Sequence, residues 1–290
     1  MTFLTLLAAI VPGLLICFFI VKLDKHEKEP TPLLAISLGL GIAIFFAARY
    51  FEGAIDDMMM PYITENNLNP NTHPGILFLS AFVRTAFVEE FLKLVVLLLI
   101  PFNHKAFNEP MDGIVYAVMI GMGFAIVENM IYCMSPPDLA LAIVRDFTAV
   151  PSHAVFAVIL GYYVGLAKFN KAKRIQYIIG GFFITVFVHG LYDVFLFQEY
   201  ENWLMILATF VLLGGLFFSR KFISQHQKDS PFQKETDPYE METDKDVLDD
   251  TVILEKQNKP SELKEKDNEI LSAVLFEMKE KNEHNHKEEE

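Results

Sequence analysis

Apolar side chains fill long runs along the first part of the chain, and polar side chains replace them after about residue 221. An α-helix needs about 20 consecutive apolar residues to cross a bilayer. The runs reach that length, so the pattern predicts an all-α, polytopic helical membrane protein with about seven transmembrane helices. The predicted spans cover residues 2–22, 32–51, 75–100, 113–134, 146–167, 175–197 and 202–219.

The composition divides the chain into a membrane domain, residues 1–221, and an acidic tail, residues 222–290. The tail is rich in lysine and glutamate and buries too little apolar surface to fold, so we predict that it is mostly disordered. Residues 261–282 have helical spacing, which fits either a docking helix or a solvated tail with fleeting helix. Most of the net charge of −13 lies in the tail, and no basic surface indicates nucleic-acid binding.

The loops between the predicted spans differ in charge from one side of the membrane to the other. Lysine and arginine occur in loops 22–31, 101–112 and 168–174, whereas loops 52–74 and 198–201 contain acidic residues and neither lysine nor arginine. Because basic loops stay on the cytoplasmic side, the N-terminus is predicted outside and the tail in the cytoplasm. The prolines of the 52–74 loop predict irregular backbone there.

The third run contains three charged residues near its centre, namely Glu89, Glu90 and Lys93. Each charge at mid-membrane costs about 3 kcal/mol unless a partner offsets it. Lys93 lies three and four residues after the two glutamates, on the same helix face, so an internal ion pair is expected. One carboxylate remains, and it is either protonated or bound by a group from another helix.

Three further runs supply polar groups that could meet these charges. The fourth run contains Glu128 and Asn129, the fifth contains His153, and the sixth contains His189 with Asp193 one helical turn later. With the N-terminus outside, these groups lie in the outer half of their spans, while the glutamates of the third run lie near the midplane. Four helices therefore place polar groups in one slab, which predicts a single buried site with access from outside.

Each of these groups also has a structural interpretation, such as a packing histidine, an interhelical hydrogen-bond clamp or a counter-ion for Lys93. Gly161 and Gly165 are predicted to form a helix-packing surface. Arg84 either points outward or joins the polar cluster, and Arg145 is predicted to lie at the outer interface.

A carboxylate beside a water molecule and two imidazoles is a general acid–base arrangement that suits hydrolysis. Glu89 or Glu90 would take a proton from water, while His153 and His189, together with Asn129, would bind the developing oxyanion or a metal. Glu90, His153 and His189 form an acceptable catalytic zinc set, and Asp193 would then orient His189. The sequence leaves the metal-dependent and metal-free versions open.

These residues occur as four motifs in order on successive predicted helices. Together they resemble the PrsW family of bacterial membrane proteases, which belongs with the CAAX-protease and bacteriocin-processing group. The resemblance covers a motif-bearing core of about residues 75–200. The motifs are Glu89-Glu90-x-x-Lys93, Phe124-x-x-x-Glu128-Asn129, His153 with Gly161, and His189-Gly190-x-x-Asp193.

The resemblance implies a peptidase of the bacterial cytoplasmic membrane, labelled a metalloprotease, that acts on a membrane-anchored protein. It further implies first-site cleavage of an anti-sigma factor on its extracytoplasmic side, with Glu89, Glu90, His153 and His189 as the essential residues. Two rival functions remain at this point: a non-catalytic membrane scaffold and a proton-coupled transporter. A transporter would be indicated by inverted repeats, and none is visible in the sequence.

Overall fold

The computed structural model describes residues 2–134 and 136–232, and within these ranges it contains helices and no strand, in agreement with the predicted fold class. The longer helices are α1 Thr2–Leu23, α2 Thr31–Glu65, α5 Pro110–Met134, α7 Ala149–Phe169, α8 Arg174–Phe197 and α9 Met205–Lys228. The shorter ones are α3 Pro74–Phe78, a π-helix Leu79–Phe87, α4 Val88–Leu99 and α6 Leu139–Phe147. Single 3₁₀ turns cover Pro101–Asn103, Lys171–Lys173 and Asn202–Leu204.

The starts of several helices follow from local sequence. Pro30 precedes α2, and Pro74 is the first residue of α3, where a missing backbone N–H does no harm. The side chain of His73 accepts a hydrogen bond from the backbone N–H of Ile76 at the start of α3. The carboxylate of Asp138 caps α6 in the same way.

Six helices in the described part of the chain are long and apolar enough to cross a membrane, which makes the protein a multi-pass membrane protein. The third predicted span, 75–100, is not among these six; it is helical from Pro74 to Leu99, but it is divided into α3, the π-helix and α4. Its two ends lie at opposite ends of the bundle. Asn71, just before it, donates to Glu199 Oε1 at 2.9 Å, whereas the carbonyl of Phe102, just after it, accepts from Lys168 at the end of α7.

The predicted irregular loop at 52–74 is wrong over its first half, because α2 continues to Glu65 with Pro61 inside it. Two salt bridges lie along the part of the helix that was predicted to be a loop. Glu52 lies 2.5 Å from Arg49 one turn earlier, and Asp56 lies 2.6 Å from Nε of Arg84 on the π-helix. A helical backbone places both carboxylates on the face that meets these cations.

Helix α5 is the centre of the bundle, with nearly every residue of its first half buried. It packs against α1, α2 and α7, and α7 packs in turn against α8 and α9. A Cβ at Gly161 would overlap the carbonyl oxygen of Gly113, and one at Gly165 would overlap the carbonyl of Pro110. The prediction that Gly161 and Gly165 form a packing surface is therefore confirmed.

The last helix passes the boundary predicted at residue 221, because α9 ends at Lys228. The side chain of His226 in this helix is buried, and its Nε2 lies 2.9 Å from the carbonyl oxygen of Tyr162. The helical part of the chain therefore extends past the predicted boundary, to Lys228. The predicted disorder of the tail and the helical spacing at 261–282 fall outside the described residues.

Replacing Gly161 with alanine should lower the thermal midpoint of the detergent-solubilised protein. The added methyl group forces α5 and α7 apart, and overpacking of this kind costs about 1–3 kcal/mol. Gly180→Ala on α8 is the matched control, since a Cβ there meets no atom within 4 Å. Equal midpoints for the two variants would contradict the close α5–α7 contact.

Candidate active site

The charged residues of α4 form a compact, fully buried cluster. The ammonium of Lys93 lies 2.8 Å from Glu90 Oε1 and 3.2 Å from Glu89 Oε2, and it also lies 4.4 Å from the ring centre of Phe124. All three charged side chains are buried, and Glu90 has no exposed surface at all. The π-helix precedes this cluster directly, and such wider turns often occur at functional sites.

The first imidazole, His189 on α8, is bound to this cluster through Glu90. Its Nδ1 lies 2.9 Å from Glu90 Oε1, and its Nε2 lies 3.4 Å from Asp193 Oδ2 one turn further along α8. The ring of Phe156 stacks on the imidazole at 4.4 Å between centroids. His189 is thus held between two carboxylates and an aromatic face.

The second imidazole, His153 on α7, faces the same cluster from another side. Its Nδ1 lies 3.4 Å from Lys93 Nζ, and its Nε2 lies 3.0 Å from Glu128 Oε2 on α5. The centroids of the two imidazole rings are 5.7 Å apart, and the ring planes are nearly perpendicular. The acids of α4 and α5 therefore meet both histidines, as the sequence analysis expected.

Arg145 on α6 contacts the candidate site, which its predicted position at the outer interface did not indicate. Its Nη2 lies 2.8 Å from Glu128 Oε2, its Nε donates to Asn129 Oδ1 at 2.8 Å, and its guanidinium lies 4.3 Å from the ring centre of Tyr132. The guanidinium orients both polar residues of α5. In the sequence, Arg145 lies just before the fifth predicted span, and Glu128 lies in the fourth. This order along the chain could not show that α6 folds back over α5 and brings the two side chains together.

The structure also decides where Arg84 points. Its Nε lies 2.6 Å from Asp56 Oδ1, and its Nη2 lies 4.0 Å from Glu52 Oε2. Glu52 and Asp56 were missed as site residues because their segment was predicted to be a loop. They add a second group of paired charges beside the first.

A cavity of about 610 Å³ reaches the site from the end of the bundle that carries Pro70 and Asn71. Glu89 lines this cavity, whereas Glu90 lies behind it against Lys93 and His189. The charged and imidazole side chains that line it are Arg49, Glu52, Asp56, Arg84, Glu89, Glu128, Arg145, His153, His189 and Asp193.

One group of side chains in the described ranges has the spacing of metal ligands. It consists of Glu89, Glu90 and His153, each offering one atom, with all these atoms within 4.8 Å of one another. The metal ligands predicted from the sequence were Glu90, His153 and His189, so this group differs from them in having Glu89 in place of His189. Two carboxylates and an imidazole suit a divalent ion, and Glu90 Oε2 is buried without a hydrogen-bond partner. The ammonium of Lys93 contacts the same three side chains, so a bound ion either shares them with Lys93 or displaces it.

The fold and this geometry define a multi-pass helical membrane protein with a buried carboxylate–imidazole site. Residues 29–218 match the PrsW family intramembrane metalloprotease. The chain therefore belongs to the PrsW family. The match includes every site residue named above and ends before the tail.

Three curated relatives support the assignment, and each is named Protease PrsW. The Geobacillus kaustophilus protein is 33% identical over 206 residues, which is 71% of this chain and 84% of the relative. The Bacillus subtilis protein is 31% identical over 74% of this chain and 92% of the relative. The Clostridioides difficile protein is 32% identical over 71% of this chain and 85% of the relative. No solved structure matches the chain.

Replacing Arg145 with methionine should reduce proteolytic activity by about 10–100-fold, because groups that orient catalytic residues have effects of this size. Glu128 loses its charged partner and no longer holds His153 in place. Arg145→Lys should recover part of the activity, since it restores the charge without the planar two-point contact. The control is Arg220→Met on the exposed surface of α9. Similar activities for Arg145→Met and Arg220→Met would contradict this role.

Proposed function

We propose that this protein is an intramembrane protease that hydrolyses a peptide bond of a membrane-anchored protein. The observation that carries the proposal is the position of Glu89, which lines the cavity together with His153 and His189. A carboxylate beside two imidazoles in a recess buried within an apolar bundle is suited to acid–base hydrolysis. Membership of the PrsW family supports the same reaction.

In the metal-free version of this mechanism Glu89 is the general base, because it faces the cavity and Glu90 does not. Glu89 accepts a proton from the attacking water and later donates it to the leaving amine. His153 is held by Glu128 and Lys93, and His189 is held by Glu90 and Asp193. A ring N–H of either histidine that leaves its carboxylate partner can donate to the oxyanion of the tetrahedral intermediate.

A divalent metal ion, proposed to be zinc, would be held by Glu89, Glu90 and His153. When bound, such an ion polarises the carbonyl and makes bound water more acidic. The sequence predicted a different set of metal ligands, with His189 in place of Glu89. The two sets of ligands predict different metal contents for the His189→Ala variant. His153→Ala should lose bound metal under both assignments, whereas His189→Ala should keep it only if Glu89 is a ligand. Metal analysis of the two purified variants by mass spectrometry distinguishes the sets, and full metal loss in His189→Ala would overturn the Glu89 set.

The proposed substrate is a membrane-anchored protein such as an anti-sigma factor, cut on its extracytoplasmic side, with the protease in the bacterial cytoplasmic membrane. The arrangement of basic loops supports the proposed orientation, with the N-terminus outside. Loops 22–31, 101–112 and 168–174 meet at one end of the bundle, where Lys168 donates to the carbonyl of Phe102. The cavity opens towards Pro70 and Asn71 at the opposite end, which is then the extracytoplasmic end.

Glu89→Gln in the full-length protein should reduce cleavage of a single-span reporter protein in proteoliposomes by about 10²–10⁴-fold, the usual contribution of a general base. The substitution keeps the side-chain size and removes the proton acceptor. Reporter binding should persist, because the cavity walls are unchanged. Cleavage is followed by gel and by mass spectrometry of the products.

Glu65→Gln at the exposed end of α2 is the matched control and should keep wild-type cleavage. If the protein were a non-catalytic scaffold, the wild-type protein would bind the reporter and leave it uncut. That result, or equal cleavage by Glu89→Gln and wild type, would overturn the proposed function.

A further inference from the structure

Four buried carboxylates converge at the end of the bundle that carries the basic loops. Their exposures are 1% for Asp24, 7% for Glu29, and 0% for both Glu109 and Asp112. Asp24 and Glu29 belong to the connection between α1 and α2, and the other two lie at the start of α5. Asp24 interacts with Glu109, and Glu29 interacts with Asp112, so the acids form two close pairs.

Part of this cluster is satisfied by hydrogen bonds. Asp112 Oδ2 accepts from the backbone N–H groups of Asn108 at 2.7 Å and Glu109 at 2.8 Å. The hydroxyl of Tyr116, one turn into α5, donates to Glu29 Oε2. These contacts position the carboxylates, but they use only one oxygen of each.

The remaining oxygens are buried and accept no hydrogen bond from an N–H or hydroxyl group in the described ranges. They are both oxygens of Asp24, Oε1 of Glu109 and Oδ1 of Asp112. The hydrogen bonds left to them lie within the acid pairs, Asp24 with Glu109 and Glu29 with Asp112, and these require a proton between the two carboxyl groups. The second oxygen of Glu109 accepts from the hydroxyl of Ser230, just beyond α9. Unless a proton or a cation lies between them, these buried carboxylate oxygens have no partner.

Two lysines interact with the cluster at longer range, Lys28 with Asp24 and Lys168 with Asp112, but neither ammonium group contacts one of its carboxylates. The ammonium of Lys28 donates to the backbone carbonyls of Val21 and Asp24, and that of Lys168 donates to the carbonyl of Phe102. None of the four carboxylates forms an ion pair within 4 Å in the described part of the chain. Glu27 adds further negative charge beside Glu29.

Burying uncompensated carboxylates is costly, so such a group takes up either protons or a cation. Ligands that are all oxygens are those preferred by hard divalent cations. We propose that Asp24, Glu29, Glu109 and Asp112 form a binding site for a hard divalent cation, Mg²⁺ or Ca²⁺. No three of their ligand atoms are as close together as those of Glu89, Glu90 and His153, so cation binding at this site requires the two pairs to move closer together.

Protonation of the cation-free protein supports this site and makes it testable. Burial and the neighbouring Glu109 raise the pKa of Asp24 to about 7, and burial and Asp112 raise the pKa of Glu29 to about 10. Folding therefore favours the protonated acids. Without a cation, the stability that the Asp24 carboxyl contributes is present at low pH and is lost as the pH rises towards 7. Cation binding replaces these protons, so it should tighten with increasing pH.

The test measures thermal midpoints of the full-length, chelator-treated protein in detergent at pH 5 and pH 8, with and without Mg²⁺ or Ca²⁺. At pH 8, either cation should raise the midpoint by at least about 2–4 °C, because ligands that bind only the folded state stabilise it. The shift should be smaller at pH 5. Calorimetric titration should show proton release on binding.

Asp24→Asn should abolish this shift and should itself raise the cation-free midpoint at pH 8, since it removes a buried charge. If Asp24→Asn lost the shift because the variant misfolds, its cation-free midpoint at pH 8 would be lower than that of the wild type. Asp57→Asn, on the exposed face of α2, should keep the wild-type shift. The site is disproved if neither cation shifts the wild-type protein at pH 8, or if Asp24→Asn responds like wild type.

Discussion

The contact between Lys93 and the two adjacent glutamates on α4 is the interaction on which the rest of the site depends. Three charges within a membrane helix cost about 3 kcal/mol each if they stand alone. Local pairing at 2.8 and 3.2 Å offsets part of this cost. The remainder requires polar partners from other helices. His153 and His189 supply them, and α7 and α8 must therefore pack with these imidazoles towards α4.

The features that could be predicted from sequence are those set within one helix. Apolar runs located the spans, and a three- or four-residue spacing placed Lys93 on the face of its glutamates. The features that could not be predicted depend on contacts between distant segments. Helix α2 continues past Glu52, where Asp56 pairs with Arg84 on another helix, and Arg145 joins the site because α6 folds over α5. Neither arginine has a local pattern that reveals its partner.

Helix α5 connects the two polar centres of the molecule. Asp112 lies in its first turn and belongs to the acidic cluster, whereas Glu128 lies near its other end beside His153. A rise of 1.5 Å per residue separates these positions by about 24 Å, most of the thickness of a membrane. The centre of α5 is apolar and closely packed, and glycine contacts with α7 bring the two backbones together. Each centre is thus fixed to the same rigid element.

The most direct test of this account is a double-mutant cycle on Lys93 and Glu90, measured as free energies of unfolding in a lipid or detergent environment. Lys93→Met alone should cost about 3–5 kcal/mol, because it leaves buried carboxylates without their cation. Adding Glu90→Gln to that variant should cost much less than Glu90→Gln costs in the wild type, with a coupling energy above about 1 kcal/mol. Strictly additive losses would show that the two side chains do not interact in the folded protein, and would contradict the account.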